Sequence, residues 1–304
     1  MNIKIGIIHD KVKLGAKRTN MKRLYEKVSS LVRERRVNVV VLPSYPITGP
    51  IIGYYPPNRL SHAIRNYAER MSERGTTVSQ GTASLLRWSE ELGVYIVAGP
   101  IIERAGPRLY STVIVTSPKG TIVGKYRKIG ITRDEAAAGL SSGRSISVIS
   151  INGRARLGLF IDDDLAYPEI FRMMQLEEAN IIIGFMMPYH SEYFRMTRYY
   201  DSDILTMDES NIGEFLSVRA RETGLPIILV GGAVNGLGSS HETSIAFMPT
   251  IPAEPDIGVV KDKILRYEDL GGIPMLLEVN AINSRPRRLG DSIEKAIRDM
   301  CRKS

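Results

Sequence analysis

The stretch GLFIDDDLAYPE, residues 158–169, decides the fold. It opens on glycine and large apolar side chains, the pattern of a strand covered on both faces. Asp162, Asp163 and Asp164 then break that run, and Pro168 and Glu169 follow. Proline suits the first turn of a helix, and carboxylates suit its positive end, so Asp164 reads as serving a helix start. The stretch is therefore strand, turn and helix in close succession, with Asp162 where the strand ends.

Working outward, apolar runs at 145–151 and 155–161 flank Asn152 and Gly153, a strong hairpin signal. A helix is predicted over 168–178 and another over 208–223, with strands at 180–185, 226–231, 243–247 and 275–279. A last helix is predicted at 291–302. The segment 184–208, rich in Tyr, Met and Arg, is too irregular for a regular element and reads as cover for a site. Upstream the same logic recurs without repeating the sequence. A strand at 3–8 leads to a helix whose apolar positions Met21, Leu24, Val28, Leu31 and Val32 recur at spacings of three and four. Strands follow at 37–42 (stopped by Pro43), 94–101, 110–117 and 122–126, with a helix over 77–92 that ends at Gly93. Alternating elements with uniformly apolar strands imply sheets inside and helices outside. No linker or repeat interrupts the chain, so one domain over 1–304 is expected.

Composition sets wide bounds. The 304 residues are 43% hydrophobic and 24% charged, ordinary for a globular protein. One cysteine, Cys301, cannot form an internal disulfide, which suits a reducing cytoplasm; abundant charge with little cysteine also suits a thermophile. The apolar run 5–8 is too short for a signal segment, and the uncharged stretch 224–241 is broken by Pro226, Asn235 and several glycines, so no membrane association is expected. Net charge is +8, with clusters at Arg33, Arg35 and Arg36 and at Arg285, Arg287 and Arg288. No aromatic residues interleave those clusters as a stacking platform requires, so a solvated surface is favoured over a nucleic-acid partner.

Four segments, in order, resemble the nitrilase superfamily of carbon–nitrogen hydrolases. They are VVVLPSYPITG (39–49), GKYRKIGI (124–131), the 158–169 stretch, and RARETGLPIILVG (219–231). The resemblance implies a four-layer αββα sandwich, paired into a homodimer or larger assembly through the helices beside the central turn. It also implies three catalytic positions. Lys128 matches the family's lysine, Ser44 stands where a general-base glutamate is expected, and Asp162 stands where the nucleophilic cysteine is expected. Glu135 falls near an auxiliary glutamate of many members. No cofactor or metal is implied.

The substitutions bear on the chemistry. A thiolate attacks an amide or nitrile carbon while a carboxylate takes the thiol's proton and lysine stabilises the oxyanion. A carboxylate attacking an amide forms an anhydride-like adduct, far less favourable than a thioester. A serine hydroxyl does not ionise in the working pH range and cannot replace the base. The expectation is a pseudoenzyme that binds a small amide- or carboxylate-bearing ligand, with Asp162 and Lys128 meeting as a buried ion pair. Two other classes stay open: a divergent hydrolase using Asp162 in place of the thiol, and a scaffold or nucleic-acid-associated subunit. A hard-cation site on Asp162, Asp163, Asp164 and Glu135 is weighed and set lower, because consecutive side chains diverge. The glycine-rich run 231–241 lacks a phosphate-loop ending, His241 has no partner at a recognisable spacing, and Tyr54 to Pro57 reads as pocket mouth or plain turn.

Overall fold

The computed structural model describes residues 3–52, 55–71, 78–153, 155–186 and 212–231, with the backbone of strands 233–234, 243–248, 261–266 and 275–279. The predicted helix at 291–302, most of the 184–208 segment, Cys301, His241 and the second arginine cluster lie outside the described residues.

Chain order begins with β1 (Ile3–Ile7), β2 (Lys11–Val12), α1 (Lys17–Arg35), β3 (Val39–Val41), α2 (Pro57–Tyr67) and α3 (Gln80–Leu92). Next come β4 (Tyr95–Ala105), β5 (Arg108–Thr116), β6 (Ile122–Arg127), α4 (Arg133–Ala137), β7 (Val148–Ile151), β8 (Ala155–Ile161), α5 (Pro168–Leu176) and β9 (Ile181–Phe185). Last are α6 (Ile212–Thr223), β10 (Ile227–Val230), β11 (Ala233–Val234), β12 (Thr243–Met248), β13 (Lys261–Arg266) and β14 (Met275–Val279). Two six-stranded sheets result, ordered β14-β1-β3-β4-β5-β6 and β13-β12-β10-β9-β8-β7, with β2 and β11 paired separately. Each sheet has three parallel strands at its centre, β1, β3 and β4 or β8, β9 and β10, flanked by antiparallel ones.

Burial arranges these in four layers. Ile5, Val39, Val97 and Val113 of the first sheet share one core with Leu157, Leu159, Ile161, Ile183 and Ile228 of the second. The other face of the first sheet packs under α1 and α3 through Leu24, Val28, Leu85 and Trp88. The other face of the second packs under α5 and α6 through Phe171, Met174, Leu216 and Ala220. Strands covered on both sides explain the unbroken apolar runs, each fully buried Val, Leu or Ile contributing roughly 1.5–3 kcal/mol. The sandwich is therefore αββα. No helix among the described residues is long and apolar enough to cross a membrane.

Differences from the sequence reading have local causes. Pro57 is not simply a turn residue: it starts α2, where its fixed φ fits the first helical turn. The strand predicted at 94–101 runs on to Ala105, paired with β5 on both sides of an irregularity between Ala98 and Ile101. β13 was not predicted, because KDKILR is mostly charged; as an edge strand it needs no apolar run.

Candidate active site

β8 delivers Asp162 to the end of the second sheet. There its backbone turns left-handed, at φ +45°, a conformation that aspartate tolerates better than most residues. A short 3-10 turn, Asp162–Ala166, carries the chain into α5. Two side chains lock this elbow. The Asp164 carboxylate accepts hydrogen bonds from the amides of Ile161 (3.1 Å), Gly130 (2.7 Å) and Ile129 (3.2 Å) and from the Tyr126 hydroxyl (2.9 Å). Arg219 of α6 donates from Nε to the Leu165 carbonyl (3.1 Å) and from its terminal nitrogen to that of Ala166 (2.8 Å). Asp164 was expected to serve the start of the following helix; its carboxylate instead holds the turn and ties it to the chain just after β6.

That neighbouring chain supplies Lys128, whose side chain is 0% exposed. Its amine donates to both oxygens of Glu135, each at 2.9 Å, and to Oδ2 of Asp163 at 2.6 Å. Glu135 is held by α4, where it and Thr132 cap each other: Thr132 N donates to Oε2 (2.9 Å) and Glu135 N to the Thr132 hydroxyl (3.1 Å). Burial opposes the charged amine, but the carboxylates of Asp163, Glu135 and Asp162 outweigh it and hold the Lys128 pKa well above its ordinary value.

The expected ion pair of Lys128 with Asp162 is replaced by pairs with Asp163 and Glu135. The hydrogen bonds of Lys128 go to Asp163 and Glu135, and it acts on Asp162 through its field. The cause is the left-handed turn: it sends consecutive aspartates to different places, Asp163 to the lysine and Asp164 to the amides. Asp162 instead accepts from the Tyr45 hydroxyl at 3.0 Å. Fully buried, it is pushed up to about 7; burial dominates, the Lys128 charge opposes, and Asp163 and Glu135 add to the rise. Burial likewise pushes Asp164 up to about 6, against its amide hydrogen bonds and Lys128.

Ser44 lies at the end of β3, fully buried. Its hydroxyl donates to the Val230 carbonyl (2.9 Å), with the Met186 carbonyl farther off (3.3 Å), and its amide donates to Gly231 (3.0 Å). It therefore ties the first sheet to the second. The next residue, Tyr45, also left-handed at φ +54°, sends its hydroxyl to Asp162. Sequence reasoning assigned no role to Tyr45 or to the Asp163–Lys128 contact. Tyr45 is adjacent to Ser44 in the quoted motif, which was the one available signal. Among the described residues no group of three or more His, Cys, Asp or Glu is placed to hold a metal ion.

The carbon–nitrogen hydrolase family profile matches residues 5–230. The omega-amidase NIT2 of Danio rerio is 27% identical over 155 residues, which is 46% of this chain and 53% of that protein. The omega-amidase NIT2 of Xenopus tropicalis is 27% identical over 194 residues, 59% of this chain and 68% of that protein. The chain thus spans about half the length of the first relative and two thirds of the second. Among solved structures, Nit3 of Saccharomyces cerevisiae, a member of branch 10 of the nitrilase superfamily, superposes with a TM-score of 0.63 at 16% identity, covering 98% of this chain and 94% of that one. A carbon–nitrogen hydrolase from Helicobacter pylori gives 0.63 at 16% identity, covering 100% and 95%.

Proposed function

Because the chain belongs to the carbon–nitrogen hydrolase family, with its profile matched across residues 5–230, we propose that it is a member without thiol-based hydrolysis, a pseudoenzyme acting by binding. One observation carries this reading. A lysine ammonium has three N–H donors, and those of Lys128 meet Glu135 Oε1, Glu135 Oε2 and Asp163 Oδ2. None is left to stabilise an oxyanion, the task that the family chemistry requires of this position. The elbow holds a carboxyl in place of a thiol, and the Ser44 hydroxyl, committed to a carbonyl, accepts no proton. All three parts of the mechanism are diverted, and such parts act as a unit.

The same geometry favours one ligand type over the other. Three carboxyl groups, Asp162, Asp163 and Glu135, surround the single amine, so a bound carboxylate meets net repulsion. An amide, donating its N–H to Asp162, suits the site better. Pairing of two copies through α5 and α6 fits the exposure of Tyr167 (37%) beside α5 and Val218 (46%) on α6.

A second reading has its own support. Asp162, raised to about 7, is poised to exchange a proton at neutral pH, which suits a divergent hydrolase using it as acid or base. Ammonia release from a panel of amides and nitriles separates the two, with the triple variant Ser44→Glu, Asp162→Cys, Asp163→Asn beside the wild type. The triple restores base and thiol and removes one of the two carboxylates that hold Lys128, leaving Glu135. A silent wild type and an active triple variant support the pseudoenzyme. Wild-type turnover, rising with ionisation of a group near pH 7, supports the second reading.

A further inference from the structure

The strand beside Lys128 carries a buried hydroxyl, that of Ser111 on β5. The Lys128 amide donates to the Ser111 carbonyl at 2.9 Å, which sets the two residues opposite each other on neighbouring strands. On its other side Ser111 stands opposite Ile102 of β4. Side chains alternate along a strand, so the faces can be assigned. Thr112 turns one way and donates its hydroxyl to Glu103 at 2.9 Å. Val113 turns the other way, into the core between the sheets, and Ser111 shares that face. Tyr126 of β6 lies in the same core, and Lys128, two residues on, follows it there.

Within the sheet, the neighbours of Ser111 on this face are apolar except for that lysine. Leu109 and Val113 flank it along β5, and Ile102 flanks it across the strands, all of them buried. Ser111 itself is 1% exposed, and its hydroxyl has no hydrogen-bond partner among the described residues. Folded proteins rarely leave a buried hydroxyl in that state, because it has given up water for nothing. The amine opposite does not supply the partner. Its three N–H donors are taken by the two oxygens of Glu135 and by Asp163 Oδ2. Opposed residues on paired strands have Cβ atoms roughly 5 Å apart, so the Ser111 hydroxyl lies alongside the lysine stem.

An amide has two polar ends, an N–H donor and a carbonyl acceptor. The elbow offers Asp162 to the first, and Lys128 has no N–H left for the second. Resting on the reading of the elbow as an amide site, we propose that Ser111 is a further binding residue there, donating its hydroxyl to the carbonyl oxygen of the bound amide. A neutral hydroxyl grips a carbonyl without the charge-assisted strength that stabilises an oxyanion, so the ligand is held at both ends and is not activated. The same contact sets specificity. Sulfur is a weak acceptor, so a thioamide of equal shape binds less well than the amide.

Calorimetric titration of the full chain with butyramide and with thiobutyramide tests it, in the wild type, Ser111→Ala and Asp162→Ala. The wild type is expected to bind butyramide saturably and thiobutyramide about tenfold more weakly, the effect of one hydrogen bond. Ser111→Ala weakens butyramide binding about tenfold and takes the two probes alike, a loss of discrimination that a merely structural serine does not cause. Melting without ligand is the second measurement. Ser111→Ala melts no lower than the wild type, because the hydroxyl it removes bonds to nothing among the described residues. A lowered midpoint means that the hydroxyl already has a protein partner, and it overturns the proposal. Butyramide binding that Asp162→Ala abolishes and Ser111→Ala leaves undiminished overturns the role of Ser111 and keeps the amide reading. Absence of saturable binding by the wild type overturns both.

Discussion

Asp162 is a carboxyl group whose ionisation the fold opposes. Its pKa is raised from 3.8 to about 7, so the native state holds a proton that the unfolded chain releases. Between those values the native state binds more protons, and the contribution of Asp162 to stability falls as pH rises through that window. Asp162→Asn keeps an acceptor for Tyr45 and removes the titration. The variant gains on the wild type between pH 5 and pH 8, by at least about 1 kcal/mol in denaturant melts. A pH-independent difference contradicts the assigned burial. Lys128→Met has the opposite sign: it leaves Asp163 and Glu135 buried without their cation and costs roughly 3–5 kcal/mol, read in the same melts. The positions of Ser44, Lys128 and Asp162 were legible because short motifs mark strand ends. The lysine's true partner was not, because one positive φ angle redirects every side chain after it, and a sequence does not display φ.

At the scale of elements, the elbow is held by parts distant in the chain. The Arg219 side chain of α6 caps the Leu165 and Ala166 carbonyls, and its guanidinium lies 5.9 Å from the Phe171 ring centroid. Arg219→Ala orphans those carbonyls and costs about 1–3 kcal/mol, measurable as a lowered denaturant midpoint with unchanged slope. An unchanged midpoint removes Arg219 from the account of the elbow. Buried strands such as β8, β9 and β10 were legible because both faces are covered, which leaves a continuous apolar run. Mostly charged β13 and proline-led α2 were not, because an edge strand lacks that run and a proline pair also fits a turn. The helix that carries Glu135 was not legible for a similar reason: five-residue α4 is too short for periodicity, and its capping box is what positions Glu135.

At the scale of the molecule, two sheets with parallel centres close on a shared core, and their ends bring Tyr45 against Asp162 and Lys128 against Asp163 from three segments far apart in sequence. The layer order was legible from element alternation; the diversion of the lysine's charge required the folded arrangement. The proposed pairing through α5 and α6 predicts a solution mass of two chains or a multiple by light scattering, and a monomer contradicts it. The central claim is the loss of thiol-based hydrolysis, and ammonia release by the wild-type protein tests it most directly. Across amides and nitriles near neutral pH, the account predicts release indistinguishable from the protein-free control, in the wild type and in Asp162→Asn alike. Release at an ordinary enzymatic rate, abolished in Asp162→Asn, would contradict it.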